Sequence, residues 1–201
     1  MPLKDLNIEN QVYIKQELLN DDSWMSYQTG DIIKRADLNI IIHSTNCFHT
    51  MNSGVAYKIS QNYLETVIAD KKTPCGNPEK LGTFSAAMEK NINSKNPLLI
   101  VNLYGQFHPG VCSDNSESLD SKENRFLQLK ESLIKFAEFI KIFNMEISET
   151  NKCKFYVGVP WLIGCGSSGG DYNQIFLLFK EIFSSMSNEI KIIFVDNNDE
   201  Y

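Results

Sequence analysis

The densest chemical content of the sequence lies between Pro160 and Asn173, in the run PWLIGCGSSGGDYN. Four glycines (Gly164, Gly166, Gly169, Gly170) and two serines (Ser167, Ser168) leave little side chain between a ligand and the backbone N–H groups. Glycine reaches positive φ at small cost, so such a loop can curl into a nest of donors. An apolar run, Phe155 to Val159, precedes it and a periodic apolar segment begins at Tyr172, so the loop leads from a strand into a helix. Backbone donors just before a helix N-terminus suit an anion, above all phosphate. The same glycines would also serve a strand-to-helix turn that holds nothing.

A second polar cluster closes the apolar run Leu38 to Ile42. His43, Ser44, Thr45 and Asn46 stand where residues at the carboxyl end of a sheet strand meet ligands, and Met51-Asn52-Ser53-Gly54 follows before another helix. Histidine gives or takes a proton near neutrality, so His43 is a candidate for acid-base work, although a histidine at a strand end also serves structure. Asp171 is placed to cap the final helix, and the same carboxylate is the candidate partner base. Asp31, in Gly30-Asp31-Ile32-Ile33, reads on its own as a turn residue. His43, Cys47 and His49 match no zinc spacing and lack a fourth ligand, so no metal is expected. Cys165 precedes a helix N-terminus, which lowers a thiol pKa, but no general base can be named beside it and a packing role is expected.

These residues need a scaffold, and 201 residues suffice for one sizeable α/β domain but are short for two. Hydrophobic residues make up 42%, which excludes a disordered polar chain, and no apolar run approaches the roughly 20 residues of a membrane span. The first residues lack the uninterrupted apolar core of a secretory signal. Five cysteines without a CxxC pair predict reduced thiols in a cytoplasmic, or nuclear, setting. A formal charge of −6 argues against general nucleic-acid binding but allows a single nucleotide held by backbone donors.

Along the chain, Gln11 to Leu19 and Trp24 to Gln28 read as two β segments, and Leu38 to Ile42 as a buried strand. Val55, Ile59, Tyr63 and Val67 recur every four residues and predict one helix. Leu81 to Met88 and Leu98 to Tyr104 read as strands, the second covered on both faces. Cys112 to Asn124 is polar enough for a mobile loop, followed by a long helix through Phe126, Leu133 and Ile140. Lys154 to Val159 feeds the glycine-rich loop, Ile175 to Met186 marks the last helix and Ile190 to Val195 the last strand. Alternating strands and helices predict a three-layer α/β/α sandwich with a mixed, mainly parallel central sheet, the early strands antiparallel at its edge. A dinucleotide-binding Rossmann fold would need GxGxxG after the first strand, and those letters occur only at Gly164 to Gly169, near the end of the chain. A Walker loop is absent.

Four motifs in one order, GDII at Gly30 to Ile33, IIHSTNCFHTMNSGVAYKI at Ile41 to Ile59, NLYGQ at Asn102 to Gln106 and the glycine-rich loop, make the chain resemble a macro domain from about Tyr27 to Val195. The subgroup it most resembles contains bacterial, phage and fungal proteins related to ADP-ribose 1″-phosphate phosphatases. The resemblance implies one macro domain over residues 1–201 with a short N-terminal extension, and ADP-ribose or its derivatives as ligand. It implies Asp31 on the adenine amino group with the Ile32 backbone beside it. Asn46, with Ser44 in the same polar strand end, would hold the distal ribose. Asn52, Ser53, Gly54 and Val55 would lie along the diphosphate, with Asn52 standing where glycine is usual. Gly164, Cys165, Gly166, Ser167, Ser168, Gly169 and Gly170 would close over the phosphates, and Tyr172 would line the nucleoside pocket. Related phosphatases carry histidine at the position of His43, which with Asp171 is the implied catalytic pair, without cofactor.

Three activities follow from the resemblance: phosphatase action on ADP-ribose 1″-phosphate, hydrolysis of ADP-ribose or acetyl groups from ADP-ribose conjugates including ADP-ribosylated macromolecules, and binding of ADP-ribose without turnover. Terminal ADP-ribose glycohydrolases use a lysine after the NLY-type strand and an aspartate early in the second loop. Here those places fall near Tyr104-Gly105 and at Ser168, so that mechanism is not expected.

Overall fold

The computed structural model describes Ile14, Lys15, Leu18 and residues 24–146 and 154–197. Its strands are β1 (Met25–Thr29), β2 (Ile40–Asn46), β3 (Phe84–Lys90), β4 (Pro97–Gln106), β5 (Phe155–Pro160) and β6 (Ile190–Asp196). Its helices are α1 (Gly54–Asn62), α2 (Leu64–Lys71), α3 (Lys122–Glu146) and α4 (Tyr172–Phe183). The strands form one sheet in the order β1-β6-β5-β2-β4-β3, parallel throughout except where β3 meets β4.

Side-chain alternation divides the apolar residues into two cores, one on each face of the sheet. Ile41 of β2, Ile100 of β4 and Ile193 of β6 pack with Ile59 of α1 and Tyr63 on one face. Ile42, Val101 and Phe194 pack on the other with Leu133 of α3 and Phe179 of α4. A sheet buried on both faces explains why these strands read as continuous apolar runs, and it gives the expected three layers.

The structure corrects several expectations. The early edge strand is parallel, β1 pairing Met25 with Ile192 of β6, and the antiparallel edge is β3. Of the segment expected as a first strand, Ile14, Lys15 and Leu18 are helical, with Ile14 and Leu18 buried on one helix face at i and i+4; its other residues lie outside the described ones. The single helix expected from Val55 is two, interrupted at Tyr63, whose ring is buried and whose hydroxyl donates to the Ile33 carbonyl at 3.2 Å. The polar stretch after Cys112 is tied by hydrogen bonds, among them Ser113 N–H to the Asp120 carbonyl at 2.7 Å, and α3 already begins at Lys122. Among the described residues, no helix is long and apolar enough to cross a membrane.

Candidate functional site

A cleft of about 500 Å³ opens at the carboxyl ends of β2, β5 and β6, where an open α/β sheet offers ligands a crevice. One wall is the N-terminus of α1, with Asn52, Ser53, Gly54, Val55 and Ala56. Gly54 has φ of 54°, a left-handed conformation that favours glycine, and Ser53 at the N-cap makes no side-chain capping bond. The opposite wall is the glycine-rich loop, through Gly164, Gly166, Ser167 and Ser168. Among the described residues, the N–H groups of Gly54, Val55 and Ala56, and of Gly166, Ser167 and Ser168, donate to no protein acceptor. Two sets of unspent amide donors thus border one cleft.

The loop glycines divide by task. A Cβ on Gly169 would lie 2.5 Å from Cys112 Sγ, one on Gly170 2.5 Å from the Gly164 carbonyl oxygen, and one on Gly164 2.9 Å from Leu129 Cδ2, so these three shape the loop. A Cβ on Gly166 would meet nothing within 4 Å. The cleft carries no lysine or arginine among its described lining residues, and its one carboxylate, Asp196, is engaged by Lys15 Nζ at 2.7 Å and the Tyr27 hydroxyl at 2.6 Å.

Asn46 lines the cleft, but most of its amide shapes the following loop. Its Oδ1 accepts from the N–H groups of Phe48 at 2.9 Å and Thr50 at 3.3 Å, and its Nδ2 donates to the Thr50 carbonyl at 2.7 Å, leaving one N–H for a ligand. His43 is at the buried base of the cleft, 1% exposed, with Nε2 2.6 Å from Asn102 Oδ1. Asn102 Nδ2 donates to the Thr66 carbonyl and to Ser85, which fixes its oxygen toward His43 and puts the imidazole proton on Nε2. Burial is the main influence on this ring and lowers its pKa, against the opposing effects of Asn102, Asp70 and the Ser44 backbone, so His43 is neutral and weakly basic. Its Nδ1 and the Thr45 hydroxyl are buried without hydrogen-bond partners of normal geometry.

Other expected residues lie off the cleft. Asp31 accepts from the Ile33 N–H at 3.1 Å as the cap of a short 3-10 turn, next in the chain to Gly30, whose N–H reaches the Asp196 carbonyl at 2.9 Å; Ile32 is in the core. Asp171 caps α4 by accepting from Gln174 N–H at 3.0 Å and is exposed outside the cleft, so the structure does not assemble it with His43. Cys165 is buried, and burial pushes its thiol up to about 12, which removes it as a neutral-pH nucleophile. Tyr172 is buried behind Trp161, their ring centroids 4.3 Å apart, and it is Trp161 that lines the cleft. Among the described residues, no group of His, Cys, Asp and Glu is placed to hold a metal.

A third segment is Gln106 to Val111, of which the sequence marks only Gln106, as the end of the NLYGQ motif that closes β4. Gln106, Pro109 and Gly110 line the cleft, and Gln106 Oε1 accepts from the Ser168 hydroxyl at 2.6 Å. Buried Arg125 fastens this segment, donating to the carbonyls of Gly110 at 2.8 Å and His108 at 3.2 Å and to Asp120 Oδ1 from Nε at 3.0 Å. The signal was present as a basic residue in the first turn of a helix, where it opposes the helix dipole and needs a local reason.

This architecture is that of the macrodomains. The macrodomain of Mycobacterium tuberculosis DarG superposes with a TM-score of 0.61 at 21% identity, covering 86% of this chain and 97% of that one. Thermosipho africanus DarTG, solved in complex with ADP-ribose, superposes with a TM-score of 0.59 at 15% identity, covering 88% of this chain and 42% of the longer one. No protein-family model matches the chain. At the level of sequence it is 30% identical over 174 residues to an uncharacterized 17.5 kDa protein in the tk-vs intergenic region of Enterobacteria phage T4, covering 86% of this chain and 96% of the phage protein, and it belongs to the family of that protein.

Proposed function

We propose that the chain binds ADP-ribose in this cleft and hydrolyses the phosphate ester of ADP-ribose 1″-phosphate. The observation that carries the reading is the pair of facing walls with unspent amides and no cationic side chain, an arrangement suited to a diphosphate held by backbone. The complex of the structurally similar Thermosipho protein with ADP-ribose supports it. In this reading Gly54, Val55, Gly166, Ser167 and Ser168 hold the phosphates, Ser44 and Asn46 the distal ribose, and Trp161 the nucleoside, whose adenine reaches beyond the cleft lining to Asp31 and the Ile32 backbone. His43 positions a ribose hydroxyl or water through Nδ1, and Asp171 fixes the junction of loop and helix.

The His43 Nδ1 and the Thr45 hydroxyl at the base of the cleft lack partners of normal geometry, and a ribose hydroxyl or a water bound there would satisfy them. Amides that hold a phosphate also stabilise charge building on its oxygens. Titration calorimetry with ADP-ribose should give saturable binding, and mass analysis should find ADP-ribose and phosphate released from ADP-ribose 1″-phosphate. Absence of heat and of a thermal shift at millimolar ADP-ribose would reject the reading; binding without product would leave a reader.

A further inference from the structure

We propose that Asp196 is a specificity-determining residue of the cleft: its Oδ1 accepts a hydrogen bond from a hydroxyl of the adenosine ribose and turns away ligands that carry a phosphate on that hydroxyl. The assignment rests on the ADP-ribose reading above and deepens it. Asp196 ends β6 and is the one carboxylate among the described residues that line the cleft. A negative charge close to a bound diphosphate is unfavourable by Coulomb repulsion unless it is balanced and has a task. Here it has both.

The balance comes from two donors that share one oxygen. Lys15 Nζ lies 2.7 Å and the Tyr27 hydroxyl 2.6 Å from Asp196 Oδ2. Burial opposes the charge on Lys15, but its bonds to Asp196 and Tyr27 outweigh burial and raise the pKa, so the ammonium stays charged. Burial, and then Asp196, raise the Tyr27 pKa, so the phenol keeps the proton that it donates. Rings hold the group in place: Lys15 Nζ is 4.7 Å from the centre of the Tyr27 ring and 5.0 Å from that of Trp161, and the two rings meet edge-on at 4.8 Å and 77°.

The task falls to the other oxygen. Asp196 Oδ1 accepts no hydrogen bond among the described residues, and it is not among the buried polar atoms that lack a partner, so it keeps an opening at the surface. The side chain as a whole is only 7% exposed, and the Asp196 carbonyl is tied to the Gly30 N–H at 2.9 Å. A carboxylate anchored through Oδ2 thus presents Oδ1 as a fixed acceptor.

The order of groups along the cleft assigns the ligand atom. The bond from Gly30 sets Asp31 beside Asp196, with Asp31 outside the lining and Asp196 within it. With adenine reaching outward to Asp31 and the diphosphate between the amide walls, the ring that passes Asp196 and Trp161 is the ribose that joins them. A hydroxyl donating to a carboxylate makes a charge-assisted bond. In dinucleotide-binding folds an acidic residue marks a free ribose hydroxyl and an arginine a phosphorylated one. Lys15 is not available for the arginine's part, because Asp196 holds it.

The test is calorimetry of the wild-type chain and Asp196→Asn with ADP-ribose, its 2′-deoxy and 3′-deoxy forms in the adenosine ribose, and the forms phosphorylated at either hydroxyl. Removing the hydroxyl that Asp196 reads should weaken binding to the wild type about 10- to 100-fold, and a phosphate on that hydroxyl should weaken it further. Asp196→Asn keeps the shape but not the charge, so the penalty for the missing hydroxyl should shrink to less than about fivefold, and the phosphorylated ligand should be better tolerated. The wild-type series decides by itself where the variant does not fold. Both deoxy ligands binding the wild type as tightly as ADP-ribose would overturn the assignment and leave the ADP-ribose reading intact. An undiminished penalty in folded Asp196→Asn, or phosphorylated ligands held by the wild type as tightly as ADP-ribose, would overturn it as well. A wild type that binds none of the ligands overturns the reading and the assignment together.

Discussion

Arg125 and Ser167 join the two outer segments of the cleft: the arginine Nη1 is 3.4 Å from the serine carbonyl oxygen, while Nε meets Asp120 Oδ1 at 3.0 Å. The same guanidinium reaches the carbonyls of Gly110 and His108, so one side chain sets both the glycine-rich loop and the segment after β4. Arg125→Met keeps much of the apolar stem but takes the guanidinium from the largely buried Asp120, leaving that carboxylate to His108 and the backbone N–H groups of Phe107 and His108, and should cost about 1–3 kcal/mol. Arg125→Lys should recover little, since an ammonium cannot reproduce the planar fork. Urea unfolding of both variants checks this, and a methionine variant as stable as wild type would remove Arg125 from its assigned place.

The glycines of the second loop should separate into two kinds. Gly166→Glu adds bulk and charge where nothing stands within 4 Å, so circular dichroism and thermal stability should stay near wild type while ADP-ribose binding is lost. Gly170→Ala drives a Cβ to within 2.5 Å of the Gly164 carbonyl oxygen and should destabilise the fold itself. Normal ADP-ribose affinity in a folded Gly166→Glu variant would move the anion site elsewhere.

Much of this was legible because burial on both faces leaves continuous apolar runs, as in Leu38 to Ile42 and Leu98 to Tyr104, and because glycine-rich turns announce close backbone approach. What could not be read depends on register and long-range pairing. His43 looks like a displayed strand-end residue until the parallel register sets it opposite Asn102, which turns it inward beneath α2. His108 carries no signal of its own, since its partner Asp120 lies twelve residues on in a stretch whose polar composition suggested mobility. Ile14 and Leu18 are helical where a strand is expected because apolar residues four apart fit a helix as readily as an alternating strand in so short a run.

Stability should fall on mild acidification, and His43 should be a main cause. Burial holds its pKa below that of an unfolded imidazole, about 6.5, so its contribution is complete above that value and declines as pH drops toward the folded pKa. Asp120, also lowered in the fold, adds a second decline further down, through the carboxylate range near about 3.9. Melting temperatures between about pH 7.5 and 5.5 should fall less steeply for His43→Gln than for wild type, whatever the variant's absolute stability. Equal slopes would mean that His43 takes up its proton as readily folded as unfolded.

Lys80 tests the support beneath the first loop. Its Nζ, in a buried side chain, lies 3.1 Å from the Cys47 carbonyl oxygen, 3.7 Å from Asp70 Oδ1 and 4.3 Å from the centre of the Tyr104 ring. Asp70 accepts from the Tyr104 hydroxyl at 2.8 Å, so lysine, carboxylate and phenol form one buried cluster under the turn that follows Asn46. Lys80→Met preserves length and apolar volume but removes the charge that balances Asp70, and should cost about 3–5 kcal/mol in urea unfolding. Adding Asp70→Asn should return part of that loss, because the second change removes the uncompensated charge, and the double-mutant cycle should report coupling of about 0.5–3 kcal/mol. ADP-ribose affinity should weaken in Lys80→Met and recover in parallel with stability, since Cys47 lies directly after Asn46 at the cleft. Strictly additive single changes, with ADP-ribose affinity untouched, would show that this cluster neither couples internally nor supports the loop above it.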